Sequence, residues 1–123
     1  MDYISKAKKF LHLAKQEFIR ANGDEEKTRQ AAEKGWLAAV LATNHIFYKG
    51  GMKLPRDTKK RQDVLHKLGE KDKKIKELRL YEMYTTFLHN LHVDCFYDGD
   101  VSVKRVERDL NKVNEYIEII EKI

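Results

Sequence analysis

Gly35-Trp36-Leu37-Ala38-Ala39-Val40-Leu41-Ala42-Thr43-Asn44-His45-Ile46-Phe47-Tyr48 runs for fourteen residues without an Asp, Glu, Lys or Arg. The run is shorter than the ~18 apolar residues of a membrane span. Read as a helix, it is apolar around most of its girth. Such a helix is central in a bundle or shared with a second subunit. Upstream, Asp24 is placed to cap it, with Glu25 and Glu26 on the positive end of the helix dipole.

Other helices follow on both sides. Tyr3, Ile4, Ala7, Phe10, Leu11, Ala14, Phe18 and Ala21 recur at spacings of three and four, which predicts an amphipathic first helix. Asn22-Gly23 ends it, glycine supplying a left-handed stop. After the second helix, Lys49 to Asp57 holds a glycine pair and the only proline, and reads as a loop. A short helix is expected from Thr58 to Leu68, presenting Val64, Leu65 and Leu68 on one side. Gly69-Glu70-Lys71-Asp72 is expected to break or bend the chain. One long helix is then expected from Lys73 to Tyr97, charged in its first half and apolar from Met83 to Val93. Asp98-Gly99-Asp100 ends it, and Asp100 or Ser102 caps the last helix. There Val103, Val106, Leu110, Val113, Ile117 and Ile120 form the seam of a helix packing at a shallow angle. The predicted fold is all-α: an up-down-up-down four-helix bundle with an extra short helix in the second connection, as one domain over residues 1–123.

Composition agrees with this. The 123 residues are 41% hydrophobic and 37% charged, with one proline and six glycines. These proportions suit long helices and a sizeable core. The single Cys95 cannot form an intrachain disulfide, and the amino terminus has no apolar run behind a basic start. A soluble cytoplasmic protein with no membrane association is expected. The net charge of +5 is concentrated. Twelve Lys or Arg face five Asp or Glu between Lys49 and Arg79, leaving thirteen against fifteen elsewhere. Lys59, Lys60, Arg61, Lys73 and Lys74 are therefore the candidates for weak, salt-sensitive binding of nucleic acid. A solvated helix face is the ordinary explanation of the same charges.

The stretch Leu91-His92-Val93-Asp94-Cys95-Phe96-Tyr97-Asp98-Gly99 carries most of the chemistry-bearing side chains. His89 and His92, three apart, fall on neighbouring positions of one α-helical face, a spacing that can hold a metal. Further ligands would have to come from His45, Asp94 or Cys95, and no Glu-x-x-His pair occurs on two helices. No metal or other cofactor is expected. Cys95 sits where thiols are usually buried and inert. There is no glycine-rich phosphate loop, no Cys-x-x-Cys and no serine elbow. Trp36, Tyr81, Tyr84, Phe87 and Phe96 recur at helical spacing, as core aromatics do. As a ligand-lined pocket, the candidate set is Trp36, Tyr84, His89, His92 and Asp94.

Glu33-Lys34-Gly35-Trp36-Leu37-Ala38-Ala39 and Leu91-His92-Val93-Asp94-Cys95-Phe96-Tyr97-Asp98 together resemble the HEPN superfamily of small helical bundles. They are most similar to the branch of short prokaryotic proteins first catalogued as Pyrobaculum repeat proteins. In that branch an alanine-rich segment after a tryptophan pairs with a later Leu-His-x-x-x-aromatic-acid segment. Many HEPN proteins are metal-independent ribonucleases with an Arg followed four to six residues later by His, often Arg-Asn-x-x-x-His. In this chain the corresponding stretch is His89-Asn90-Leu91-His92-Val93-Asp94. Asn90 is kept, His89 replaces the arginine and Asp94 replaces the histidine. A carboxylate where a phosphate must dock is electrostatically wrong, so the resemblance implies a bundle without the catalytic motif. Arg61 and His66 have the right separation but lie on the short helix. The expected function is association, as a homodimer through Gly35–Tyr48 and Met83–Val93 and with a protein or nucleic-acid partner. The rivals are a divergent ribonuclease of toxin type using His89, His92 or Arg61/His66, and a small-ligand or nucleotide-binding bundle.

Overall fold

The computed structural model describes residues 2–123, and every regular element in them is helical. The elements are α1 (Tyr3–Ala21), α2 (Glu25–Lys49), α3 (Thr58–Lys71), α4 (Lys73–Glu77), α5 (Leu80–Phe87), a π-helical segment (Leu88–Tyr97) and α6 (Val103–Glu121). Helix α2 packs against α1, α5, the π segment and α6, and is the central element expected from its apolar girth. Tyr3 meets Tyr48 where α1 begins and α2 ends, while Glu17 pairs with Lys34 further along α1 and further back along α2. Between α1 and α6, Lys8 bonds Glu121 at 2.7 Å.

Local chemistry explains most boundaries. The Asp2, Asp24 and Asp57 carboxylates accept the backbone N–H groups of Ser5, Lys27 and Lys60, which otherwise have no helical partner. Asn22 and Gly23 both take left-handed backbone angles, so the stop of α1 uses two residues. Ser102 Oγ accepts from the Arg105 N–H at 3.4 Å, so Ser102, not Asp100, caps α6. In α6, Val106, Leu110, Val113, Ile117 and Ile120 of the predicted seam are buried, and Val103 at its start is half-buried. In α3, Leu65 is buried, with Val64 and Leu68 packed beside it.

The break expected within Gly69–Asp72 falls at Asp72, whose side chain accepts the N–H groups of Lys74 and Ile75 and so starts α4, while Gly69 stays inside α3. One expectation is corrected. The long helix from Lys73 to Tyr97 is not continuous. Arg79 adopts left-handed angles (φ 58°) and separates α4 from α5. From Leu88 the turns widen, ending with the Asp98 N–H bonded to the carbonyl of Val93, five residues back. Apart from two leucines, Leu88–Tyr97 lacks strong helix formers, so tertiary contacts dictate its geometry. One such contact is the Arg29 guanidinium of α2, whose Nε donates to the Phe96 carbonyl at 3.1 Å.

The core is continuous, and α2 supplies its largest share. Gly35 lets α6 approach closely: a Cβ there would meet Leu110 Cδ2 at 2.3 Å. Deeper in, the Tyr116 hydroxyl lies 2.6 Å from Thr43 Oγ1, which donates to the Ala39 carbonyl at 2.8 Å. The apolar runs expected to form a dimer face largely point inward: Trp36, Ala38, Ala39, Phe47, Phe87, Leu88 and Leu91 are buried within the chain. Leu37 and Tyr48 on α2, with Leu13 and Ile19 on α1, remain exposed. No helix among the described residues is long and apolar enough to cross a membrane.

Candidate functional site

His92 is the centre of the chemistry-bearing stretch. Its ring stacks on Trp36 (centroids 5.5 Å, interplanar 23°) and lies parallel to Phe96 (6.4 Å, 11°), with Tyr97 edge-on at 5.6 Å. Nδ1 donates to a Glu33 carboxylate oxygen at 2.8 Å. The two side chains are 25% and 21% exposed, a half-buried pair at the rim of the bundle. A carboxylate on Nδ1 fixes the tautomer and leaves Nε2 as an acceptor. Nε2 makes no hydrogen bond among the described residues.

Behind His92, Trp36 packs on Tyr84 (5.1 Å, tilted 52°). The Tyr84 hydroxyl accepts from Arg61 Nη1 at 3.3 Å. Burial pushes the Tyr84 phenol above its ordinary range, and the Arg61 charge only partly offsets this. Of the expected pocket residues, the fold thus joins Trp36, Tyr84 and His92. His89 is exposed and apart from them, because the wider π turn takes residues three apart off the shared face that an α-helix would give. Asp94 is half-buried, and its carboxylate makes no hydrogen bond or ion pair among the described residues.

Glu33, Arg29 and Asp109 join this region without having been singled out from the sequence as site residues. Glu33 stands three residues before Trp36 on α2, and that helical spacing was the available signal. Asn90 donates to Asp109 Oδ2 at 3.0 Å, and Asp109 is only 1% exposed. Burial raises its pKa, with Asn90, Arg108 and Arg105 opposing the rise. On the π segment, burial likewise pushes the Cys95 thiol up, against the pull of Arg105 and Arg29. Such a thiol is a poor nucleophile. No group of three His, Cys, Asp or Glu among the described residues could hold a metal ion.

The candidate basic residues divide. Lys59, Lys60, Lys73 and Lys74 are exposed on α3 and α4, whereas Arg61 turns inward to Tyr84. His66 pairs with Glu70 at 2.9 Å and meets the Tyr81 ring edge-on, so Arg61 and His66 do not converge. Lys60 shares a surface hollow with Lys53, Arg56 and Lys67, which lie on the 50–57 connection and on α3.

The helical scaffold and the Trp36–His92 juxtaposition link the same two segments that carried the sequence resemblance. No curated protein and no solved structure matches the chain. The profile of the archaeal PaREP1/PaREP8 family matches residues 2–117, and the chain belongs to that family.

Proposed function

We propose that this protein is a non-catalytic, HEPN-like bundle of up-down-up-down topology that works in the cytoplasm by association, with a second copy and with a protein or nucleic-acid partner. The end-to-end pairings of α1 with α2 and of α1 with α6 support that topology. The observation that carries the non-catalytic reading is the electrostatics around His92. Cleaving a phosphodiester needs a cation to hold the phosphate beside the proton-transferring group. The imidazole instead faces the Glu33 carboxylate, and the nearby arginines are engaged elsewhere. Arg29 bonds the Phe96 carbonyl and Glu26, and Arg61 bonds Tyr84. Self-association draws on apolar side chains exposed on α1 and α2, Leu13, Ile19 and Leu37.

One observation favours a second reading. The Glu33–His92 pair with an unengaged Nε2 has the form of a general base, so the divergent ribonuclease stays the rival. Purified protein incubated with single-stranded RNA and a chelator decides between them. We expect no cleavage above that of a mock preparation. Cleavage that disappears in both His92→Ala and Glu33→Gln, with circular dichroism unchanged, makes the protein an enzyme. Light scattering at micromolar concentration tests association separately, with about twice the 14.6 kDa chain mass expected. A stable monomer removes the self-association half of the proposal.

A further inference from the structure

A second region carries a binding chemistry independent of the His92 cluster and of self-association. The 50–57 connection and α3 line an open surface hollow of about 350 Å³. Four cations line it: Lys53 and Arg56 from the connection, Lys60 and Lys67 from α3. Asp63 is the one acid among the lining residues, so the local surplus is three positive charges. None of the four cationic heads makes a hydrogen bond or ion pair among the described residues, and Asp63 pairs with none of them.

The sequence explains the convergence. Lys60, Val64 and Lys67 follow a helical spacing of four and three, so they share one face of α3. Pro55 restricts the backbone between Lys53 and Arg56, which approach from the other side. Leu54, Pro55 and Val64 add apolar lining between the charges. The first turn of α3 is not what attracts an anion, because the Asp57 carboxylate already accepts the Lys60 N–H at 2.8 Å. Recognition falls to side-chain charge, and lysine ammonium groups act on phosphate as movable point charges. A single carboxylate would neutralise only a fraction of the surplus. A chain of phosphates carries several charges in a compact volume.

We propose that this hollow binds a small polyphosphate, either free or as the tail of a nucleotide. Calorimetric titration of the full chain at low salt, first with inorganic triphosphate and then with adenosine triphosphate, tests it. Triphosphate should bind one per chain, and the affinity should fall as salt rises. Lys60→Glu and Arg56→Glu should each weaken binding at least tenfold. Lys9→Glu, the same charge change at an exposed site on α1, should change it less than twofold. Competition between the two ligands at one site supports the proposal. Tighter binding of the nucleotide assigns the Leu54, Pro55 and Val64 surface to its nucleoside, and equal binding assigns recognition to phosphate alone. Two results overturn it: no triphosphate binding at low salt, or equal losses in Lys9→Glu and Lys60→Glu. These outcomes stand apart from the cleavage and mass measurements, because none of the four cations touches the His92 cluster or the exposed α1–α2 residues.

Discussion

Helices α1, α2 and α6 and the chain from α3 through the π segment are built on different physical terms. The first group consists of long α-helices of 19, 25 and 19 residues, each started by a side-chain cap and packed along a row of buried apolar residues. The second is a string of short pieces of 14, 5, 8 and 10 residues, joined at Asp72, Arg79 and Leu88. Helix α3 buries only Leu65 fully, and α4 buries nothing fully. Where burial is dense, helix geometry and core packing demand the same thing. Where it is sparse, in α3 and α4, the chain leaves charged side chains at the surface, and the basic hollow lies on α3; the His92 cluster lies on the π segment, which buries Leu88, Leu91 and Cys95.

The contrast predicts a steep gradient of stability. Phe47, fully buried on α2, should cost about 3–5 kcal/mol on truncation to alanine, the transfer loss plus the cavity left behind. Ile75 on α4 is only partly buried, and Ile75→Ala should cost about 1 kcal/mol. Chemical denaturation of both variants measures the two values. Native-state hydrogen exchange should agree, with amides of α2 and α6 exchanging slowest and those of α4 close to unprotected rates. Equal costs at the two sites would mean that the connection folds as part of the core.

Within the π segment the two histidines should differ just as clearly. His92→Ala removes a hydrogen bond to Glu33 and ring contacts with Trp36 and Phe96, worth about 1–3 kcal/mol together. His89 is exposed, and His89→Ala should stay within about 0.5 kcal/mol of the parent. Thermal melts of the two variants check this. A matching loss in both would imply that the two rings act on one face, as an α-helical register would place them.

Legibility in the sequence divided along the same line. The periods of α1 and α6 and the Asp24 and Ser102 caps are local signals, set by residues three or four apart. The left-handed turn at Arg79 had no such signal, because the residues that favour that conformation are glycine and asparagine. The π register was equally hidden: a hydrogen bond to the fifth residue back leaves no trace in composition. The error then propagated, since an α-helical reading put His89 beside His92 and left Glu33 out. Glu33 and His92 are 59 residues apart, and Asn90 and Asp109 are 19 apart across a turn. Pairing them requires the relative rotation of packed helices, which spacing within one helix does not contain. The apolar character of Trp36 and Tyr84 was readable, and so was the positive charge of the connection. Its focus on Lys53, Arg56, Lys60 and Lys67 was not, because it depends on how the loop folds against α3.

Asp109 joins the two regions, standing on α6 and held by Asn90 of the π segment. Its folded pKa is raised above its ordinary value by burial. The native state therefore favours the protonated acid. Stability from this group is fully present below the ordinary carboxylate range and is lost as pH rises through the folded value. Asp109→Asn removes the ionisation while keeping an acceptor for Asn90. The variant should melt a few degrees above the parent at about pH 7.5, with the difference vanishing at about pH 3.5. A gain that persists unchanged in acid would trace it to packing instead of charge.

A small gain is expected at the joint between α4 and α5. Arg79 is exposed, with a left-handed backbone that costs an L-residue about 1–2 kcal/mol. Its N–H still bonds the Lys76 carbonyl at 3.1 Å, and its carbonyl accepts from Met83 at 3.1 Å, so the turn is held by backbone groups. Glycine adopts the same angles without that cost but gives up about 0.5–1 kcal/mol in unfolded-chain entropy. Arg79→Gly should therefore stabilise the protein by at most about 1.5 kcal/mol, whereas Arg79→Ala, which keeps the strain, should change little. Denaturant midpoints for the two variants make the comparison. If glycine stabilises no more than alanine does, the left-handed turn stores no strain, and the break in the helix is set by the packing of Leu80 and Tyr84 into the core.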